Sequence, residues 1–294
     1  MWRVVVGEEV SPHEPTITPL PTITCHIKVQ QLCNISKSPP DHQFFHDQFY
    51  PDENIFINKE WKTLEANLPD SIFVRAYKSR QDLMRAVIVG PKGTSYSHVL
   101  FFFDIQFPSN YLAQPPELFY HSYGLDVNSN LKRNGKVNLN LLKYWHQWYE
   151  HKEQRWKPKQ SIIVQVLVSI RDLVFNSKPY LGGCYNKEVL MQMCKAMLFM
   201  LRDPPIDFKV FVEGYLRTNA HPILLNYKAQ MGDSKATNQL FFDLVRAFEE
   251  NGTYCRHHYN QQQYDQTLKE EELLEEKSEE TISKIWSKLK ILDS

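Results

Sequence analysis

The sequence predicts an α+β fold in which one helix precedes an antiparallel sheet and further helices follow it. Apolar residues recur at helical spacing from Ile57 to Leu68, and four short apolar or alternating runs come next. Apolar stripes at helical spacing return in several segments of residues 161–248. The connections between the four runs are short, which permits antiparallel pairing but no parallel crossover. We therefore expect an N-terminal helix, a four-stranded meander, a long loop and C-terminal helices.

The composition points to a globular chain with protein partners. The 294 residues are 42% apolar with a formal net charge of zero, so they can bury a sizeable core. A balanced charge gives no electrostatic reason to expect a nucleic-acid partner, and no apolar run reaches the length of a membrane span. We predict neither nucleic acid nor membrane as a partner, and no cofactor.

Cysteine usage suggests a reducing compartment. The five cysteines are odd in number and never spaced as CxxC, so neither a disulfide framework nor a zinc site is indicated. Reduced thiols are typical of the cytoplasm and the nucleus, and the short apolar run at the start does not form a signal peptide. We expect a cytoplasmic or nuclear protein without a bound metal.

The N-terminal part changes character near Asn54. Residues 1–50 contain six prolines and no sustained apolar period, which predicts a disordered or extended lead-in. The first helix then carries Ile57, Trp61 and Leu64 on one face and ends before Pro69.

Four strands and several helices follow this first helix. The runs that predict strands cover residues 72–77, 83–89, 99–107 and 118–121. A loop of residues 124–158 comes next, and loops of such length inside a compact domain are usually functional. Later helices are predicted at residues 161–176 and 189–201, with shorter segments at 208–215 and 240–248.

These patterns divide the chain into four parts. They are the lead-in of residues 1–50, a core domain of 54–185, a helical extension of 186–250 and an acidic amphipathic tail of 251–294. The apolar stripe of the tail either docks on the domain or binds a partner.

Three local motifs occur in a fixed order within the core. Residues 101–116 read FFFDIQFPSNYLAQPP, residues 128–131 and 134–142 read NSNL and NGKVNLNLL, and residues 155–158 read RWKP before a helix. Together they resemble the strand with its proline-rich loop, the active-site segment and the W-x-P motif of ubiquitin-conjugating enzymes. The resemblance is greatest to the large plant branch of that family and extends to about residue 226. It implies the ubiquitin-conjugating-enzyme (UBC) fold.

The resemblance also implies a chemistry and its residues. In the family, a cysteine thiolate accepts the carboxyl terminus of ubiquitin as a thioester, which a substrate lysine then attacks. An asparagine eight residues earlier donates to the oxyanion or shapes the loop. By this comparison Asn130 matches the asparagine, whereas Asn138 stands where the family has its cysteine. An amide nitrogen is delocalised into its carbonyl, so we predict that Asn138 carries no ubiquitin.

The same resemblance assigns a surface that faces ubiquitin ligases. Its residues are Pro108, Ala113, Trp156 and Pro158. Leu112 replaces a family proline in this region, and Ala113 replaces a large apolar residue. Truncation of an interface anchor to alanine commonly costs about 1 kcal/mol or more, so ligase binding is expected to be weakened. A milder departure is the replacement of the family's His-Pro pair by Asn128 and Ser129.

Three functional hypotheses follow from these residues. The first is a cysteine-less variant that binds ubiquitin or a ubiquitin-like protein, a ubiquitin ligase or an active conjugating enzyme. The second is an active transferase with a displaced nucleophile, Cys184, beside Gly182 and Gly183, although an unreactive thiol in a surface loop is the favoured interpretation of this cysteine. The third is a decayed copy without function.

Other catalytic classes find little support among the histidines. His98, His121, His146 and His151 have no serine or cysteine elbow beside them. His121 is expected to be a hydrogen-bonded structural residue at a strand end. The pair at 257 and 258 has no acidic or cysteine partner at ligand spacing, so we expect both histidines to face solvent.

Overall fold

The computed structural model describes a continuous core together with the helices that follow it. The described residues are 30–48, 55–139, 142, 156–157, 160, 162–175, 185–230, 234–258, 269 and 273. Cys184, Pro158, residues 140–141 and 143–155 of the long loop, and nearly all of the tail beyond residue 258 lie outside them. In this part of the chain no helix is both long enough and apolar enough to cross a bilayer.

The predicted first helix and antiparallel strands are confirmed. Helix α1 is Ile55–Asn67, and the sheet runs in the order β1-β2-β3-β4-β5. Antiparallel ladders join β2 to β3, β3 to β4 and β4 to β5. The strands are β1 Leu32–Ile35, β2 Ile72–Tyr77, β3 Leu83–Val89, β4 Leu100–Gln106 and β5 Glu117–Tyr120.

The predicted count of four strands is wrong, because β1 adds a fifth. This strand comes from the expected lead-in and pairs parallel to β2, with Leu32 opposite Val74. A parallel pair requires a crossover, which the residues between the two strands supply through α1. The side chain of Gln31 donates to the carbonyls of Pro69 (2.9 Å) and Ile72 (3.2 Å), which fixes the start of β1. So short a strand has no period of its own and is stabilised by its partner.

Among the described residues, four α-helices follow the sheet. Helix α2 is Ile163–Ser169 and continues into a π-helical turn, Ile170–Val174. Helices α3, α4 and α5 are Tyr185–Arg202, Lys209–Gln230 and Lys235–Glu250, with 3₁₀ turns at Ile206–Phe208 and Arg256–His258.

Helix α4 is longer than the sequence predicts. The sequence predicts a segment ending near residue 215, but the helix runs through Pro222 to Gln230. Proline removes one helical hydrogen bond, which usually ends or kinks a helix. Burial of Leu216, Ile223 and Leu224 on both sides of the proline offsets that loss.

Both faces of the sheet are covered. Phe101 of β4 stacks on Phe175, which follows α2, at a centroid distance of 4.0 Å. The next residue, Phe102, points to the opposite face and contacts Phe208 of the 3₁₀ turn at 5.4 Å. On the same face Phe73 contacts Phe211 at the start of α4 (4.6 Å). The α3–α4 connection therefore covers the face that α2 leaves open.

A buried arginine fixes this second layer. Arg85 of β3 is 0% exposed and donates from Nε to Asp104 of β4 at 2.5 Å. Its Nη1 donates to Asp207 (2.7 Å) and to Asp41 (3.2 Å). Tyr77 also donates to the Asp207 carboxylate at 2.7 Å. The N-terminal segment, the sheet and the α3–α4 connection thus meet at one guanidinium.

The charges in this cluster stabilise one another. Burial alone would raise the pKa of Asp104, but hydrogen bonds and charges from His121 and Arg85 lower it below the ordinary value. Burial would likewise lower the pKa of Arg85, yet its hydrogen bond to Asp104 and the nearby carboxylates raise it. Both groups therefore remain ionised at neutral pH.

Candidate functional site

The segment that carries Asn130 and Asn138 forms a small antiparallel hairpin. The backbone N–H of Asn138 donates to the carbonyl of Asn130 at 2.7 Å, and that of Lys132 donates to Lys136 at 2.9 Å. Between them Leu131 pairs with Val137. Asn130 and Asn138, which are eight residues apart in the sequence, are therefore direct neighbours across the two strands of the hairpin.

Their side chains share the solvent-facing side of the hairpin. Leu131 and Val137 are buried, whereas Asn138 and Lys136 are exposed and Asn130 is partly exposed. Directly opposite residues of an antiparallel pair point to the same face, with Cβ atoms about 4.5–5.5 Å apart. A reactive group at position 138 would be open to solvent, and the amide at 130 would lie next to it.

A buried asparagine holds this hairpin in place. Asn128 is 7% exposed, and its Oδ1 accepts the backbone N–H of Asn130 at 2.9 Å. Its Nδ2 donates to the hydroxyl of Tyr96 (3.0 Å) and to the carbonyl of Val174 (3.0 Å). Asn128 therefore positions Asn130 and binds one of the free carbonyls at the end of the π-helical turn. From the sequence Asn128 stands out only as a substitution, because the partners that define its role are distant along the chain.

The turn of the hairpin depends on a glycine. Gly135 has a φ of 84°, and a Cβ atom at this position would overlap the ring of Phe119. Its carbonyl accepts the backbone N–H of Tyr120 at 2.8 Å, which ties the turn to β5. The sheet edge and the hairpin are thus joined by a backbone hydrogen bond and by close packing at Gly135.

The proline-rich loop of residues 108–116 packs beside α1 and α2. The hydroxyl of Tyr111 donates to the carboxylate of Glu60 at 2.9 Å, and the same carboxylate accepts the backbone N–H of Ile163 at 3.1 Å. Burial raises the pKa of Glu60, and the two hydrogen bonds partly offset the rise. Glu60 therefore caps α2 and anchors the loop at once.

Trp156 differs from its expected place on a ligase-facing surface. Its side chain is 0% exposed, and its indole N–H donates to the carbonyl of Leu112 at 3.2 Å. A fully buried ring cannot touch a partner, so this residue supports the loop from behind. Ala113 is exposed and Pro108 is partly exposed, so both are accessible from solvent.

The described cysteines offer no activated thiol in the hairpin. They are Cys33, Cys194 and Cys255, and none lies within residues 128–138. Burial raises the pKa of Cys194 well above its ordinary value and that of Cys255 to about 11, so both are thiols at neutral pH. Cys184, the sequence-based alternative, lies outside the described residues.

One histidine prediction agrees with the structure and another does not. His121 follows β5 and places its Nε2 2.9 Å from Oδ2 of Asp104, which fits a structural residue. His258 is 7% exposed and contacts His221, so its predicted position in solvent is wrong. Its neighbour His257 is exposed, as expected.

Comparison with known proteins places these features in a family. A family model described as "Ubiquitin-conjugating enzyme" matches residues 56–200. The "Probable ubiquitin-conjugating enzyme E2 23" of Arabidopsis thaliana is 41% identical over 219 residues, which are 67% of this chain and 20% of that protein. The "Putative ubiquitin-conjugating enzyme E2 38" of the same plant is 43% identical over 185 residues, 57% of this chain and 56% of that protein.

A human relative is similar over a shorter stretch. The "Dual E2 ubiquitin-conjugating enzyme/E3 ubiquitin-protein ligase BIRC6" of Homo sapiens is 37% identical over 131 residues, 42% of this chain and 3% of that protein. The chain thus spans between 3% and 56% of the lengths of these three relatives. Residues 56–200 are a ubiquitin-conjugating enzyme domain, and through it the chain belongs to the ubiquitin-conjugating enzyme family, in which it resembles the plant members.

Proposed function

We propose that this protein acts in ubiquitin conjugation as a cysteine-less variant, which binds pathway partners but carries no thioester. The observation that carries the proposal is the hairpin of residues 130–138, in which an exposed Asn138 lies opposite Asn130. The motif resemblance assigns these two positions to the family's cysteine and to its oxyanion asparagine. Position 138 is thus accessible to solvent and is held beside Asn130 by a backbone hydrogen bond.

The chemistry of an amide supports the absence of transfer. Thioester formation requires a thiolate, which attacks the activated carboxyl terminus of ubiquitin. The amide nitrogen of Asn138 shares its lone pair with a carbonyl group and has no accessible deprotonated form at neutral pH. Neighbouring charges cannot change this, because the limitation lies within the side chain itself.

The partners proposed are ubiquitin or a ubiquitin-like protein, a ubiquitin ligase, or an active conjugating enzyme. The loop that bears Ala113 is held by Trp156 and Glu60 rather than left loose, which supports a retained binding surface. A small residue at its exposed tip favours weak or altered ligase contacts. We place this activity in the cytoplasm or nucleus, since reduced cysteines suit both compartments.

A charging assay tests the proposal. The full chain is incubated with activating enzyme, ubiquitin and ATP, and the products are compared on gels with and without thiol. We expect no thiol-sensitive adduct in the wild type or in Cys184→Ser. A reducible adduct in the wild type that disappears in Cys184→Ser would overturn the proposal in favour of a displaced nucleophile.

A binding titration separates a partner role from a decayed copy. Isotope-labelled ubiquitin is titrated with the unlabelled chain and followed by NMR, and a ligase panel is measured by calorimetry. We expect saturable binding to at least one of these proteins. A folded chain that binds none of them, nor any active conjugating enzyme, would contradict the proposal.

A further inference from the structure

Three histidines from distant parts of the sequence meet beside α4. His221 lies on this helix, while His257 and His258 form the 3₁₀ turn that follows α5. Nδ1 of His221 is 2.8 Å from Nε2 of His258. One ring nitrogen from each of the three residues lies within 4.8 Å of the others.

The backbone around these rings is fixed independently of them. Asn251 donates from Nδ2 to the carbonyl of Glu213 at 2.9 Å, and Arg217 donates from Nε to the carbonyl of Asn251 at 2.7 Å. Beyond the cluster, Lys228 donates to the carbonyl of His258 at 2.8 Å. The segment of residues 251–258 is therefore attached to α4 on both sides of the cluster, and the imidazoles are held in position by the fold.

We propose that His221, His257 and His258 form a site for a divalent transition-metal ion such as Zn²⁺. Three imidazole nitrogens with one open position are a recognised zinc donor set. Zn–N bonds of about 2.0–2.1 Å in a tetrahedron need nitrogens roughly 3.3 Å apart. The His221–His258 pair therefore opens by about half an ångström, and the exposed His257 ring turns in to supply the third bond.

The bound ion replaces the hydrogen bond between His221 and His258 with two metal bonds. In that hydrogen bond one of the two facing nitrogens carries a proton. On metal binding this ring moves its proton to its other nitrogen, and both imidazoles then bind the ion through unprotonated nitrogens. The ion then joins the turn Arg256–His258 directly to α4, so it stabilises the attachment of this turn to the helix. This role is independent of any thioester chemistry.

Cobalt titration of the full chain tests the site. The protein is treated with chelator, dialysed, and titrated with Co²⁺ at pH 7 while the visible absorption is recorded, and Zn²⁺ is then added as competitor. We expect one equivalent of Co²⁺ to give a ligand-field band that Zn²⁺ removes. His257→Gln and His221→Gln are each expected to weaken this binding at least about tenfold.

A histidine outside the cluster provides the control for this titration. His46→Gln changes an exposed histidine far from the cluster in sequence and is expected to leave the titration unchanged. His257 is itself exposed, so His257→Gln is expected to keep the wild-type circular dichroism spectrum. No cobalt band in the wild type, or the same affinity in both cluster variants as in the wild type, would overturn the proposal.

Discussion

Leu112 adopts a backbone conformation that proline cannot reach. Its φ is 76°, whereas a proline ring fixes φ near −65°. The side chain is nevertheless buried at 8% exposure, and its carbonyl accepts the indole N–H of Trp156. Leu112 therefore replaces the family's proline in a loop whose backbone conformation excludes proline at this position. A positive φ at leucine is uncommon, so the sequence does not predict this conformation.

Leu112→Pro is expected to destabilise the protein although it restores the family residue. The forced change of φ breaks the loop away from Trp156, and the free energy of unfolding should fall by about 2 kcal/mol or more, as measured by denaturant titration. Leu112→Gly is the control, because it loses the same buried side chain but permits φ of 76°. A Pro variant at least as stable as the Gly variant would contradict this account.

At the scale of elements, the helices and strands that the sequence predicts correctly are those with a clear local pattern of apolar residues. Helix α1 and strands β2 to β5 each carry an uninterrupted pattern, and β2 and β3 are found with the predicted bounds. The strand β1 and the full length of α4 were missed, because a four-residue strand is set by its partner and Pro222 suggests a helix end.

In the candidate site, too, contacts between residues close in sequence can be predicted, whereas contacts between distant residues cannot. Asn130 and Asn138, which the family resemblance relates, are brought together by a short hairpin that needs only local pairing. The function of Asn128 and the meeting of His221 with His258 depend on partners 32 to 46 residues away, and no local pattern reports such contacts. Buried polar contacts are specified by the tertiary fold and not by periodicity.

The contact of α1 with α2 and the proline-rich loop depends on one carboxylate. Glu60→Met is expected to lower the free energy of unfolding by about 2 kcal/mol, since the hydroxyl of Tyr111 and the N–H of Ile163 lose a buried acceptor. Glu65→Met, on the same helix but exposed, is the control and should change stability by less than about 0.5 kcal/mol. The free energy of unfolding of both variants is measured by thermal and denaturant unfolding. Equal losses of stability in Glu60→Met and Glu65→Met would disprove the capping role of Glu60.

At the scale of the whole molecule, Arg85 connects layers that are distant in sequence. Its three carboxylate partners are Asp41, Asp104 and Asp207, which come from the N-terminal segment, the sheet and the α3–α4 connection. A buried cation surrounded by carboxylates specifies one arrangement of these parts, because any other leaves a charge unpaired in the interior. The helical layer is thus part of the same fold as the sheet.

Removing this guanidinium is expected to loosen the whole protein. Arg85→Met leaves Asp104 and Asp207 without their buried partner, and the free energy of unfolding should fall by about 3–5 kcal/mol. Arg246→Met removes an exposed ion pair with Glu250 and should cost no more than about 0.5 kcal/mol. Denaturant titration compares the two, and a small loss in Arg85→Met would show that the layers hold together without it.

The charging of Asn138→Cys tests the central claim most directly. If the hairpin keeps the geometry of a conjugating-enzyme site, a thiol at position 138 lies exposed beside Asn130 and accepts ubiquitin from the activating enzyme. Lys136→Cys is the matched control, since it places an exposed thiol on the same hairpin away from Asn130. We predict a thiol-sensitive ubiquitin adduct in Asn138→Cys alone; a folded Asn138→Cys that stays uncharged, or a wild type that charges equally, would contradict the account.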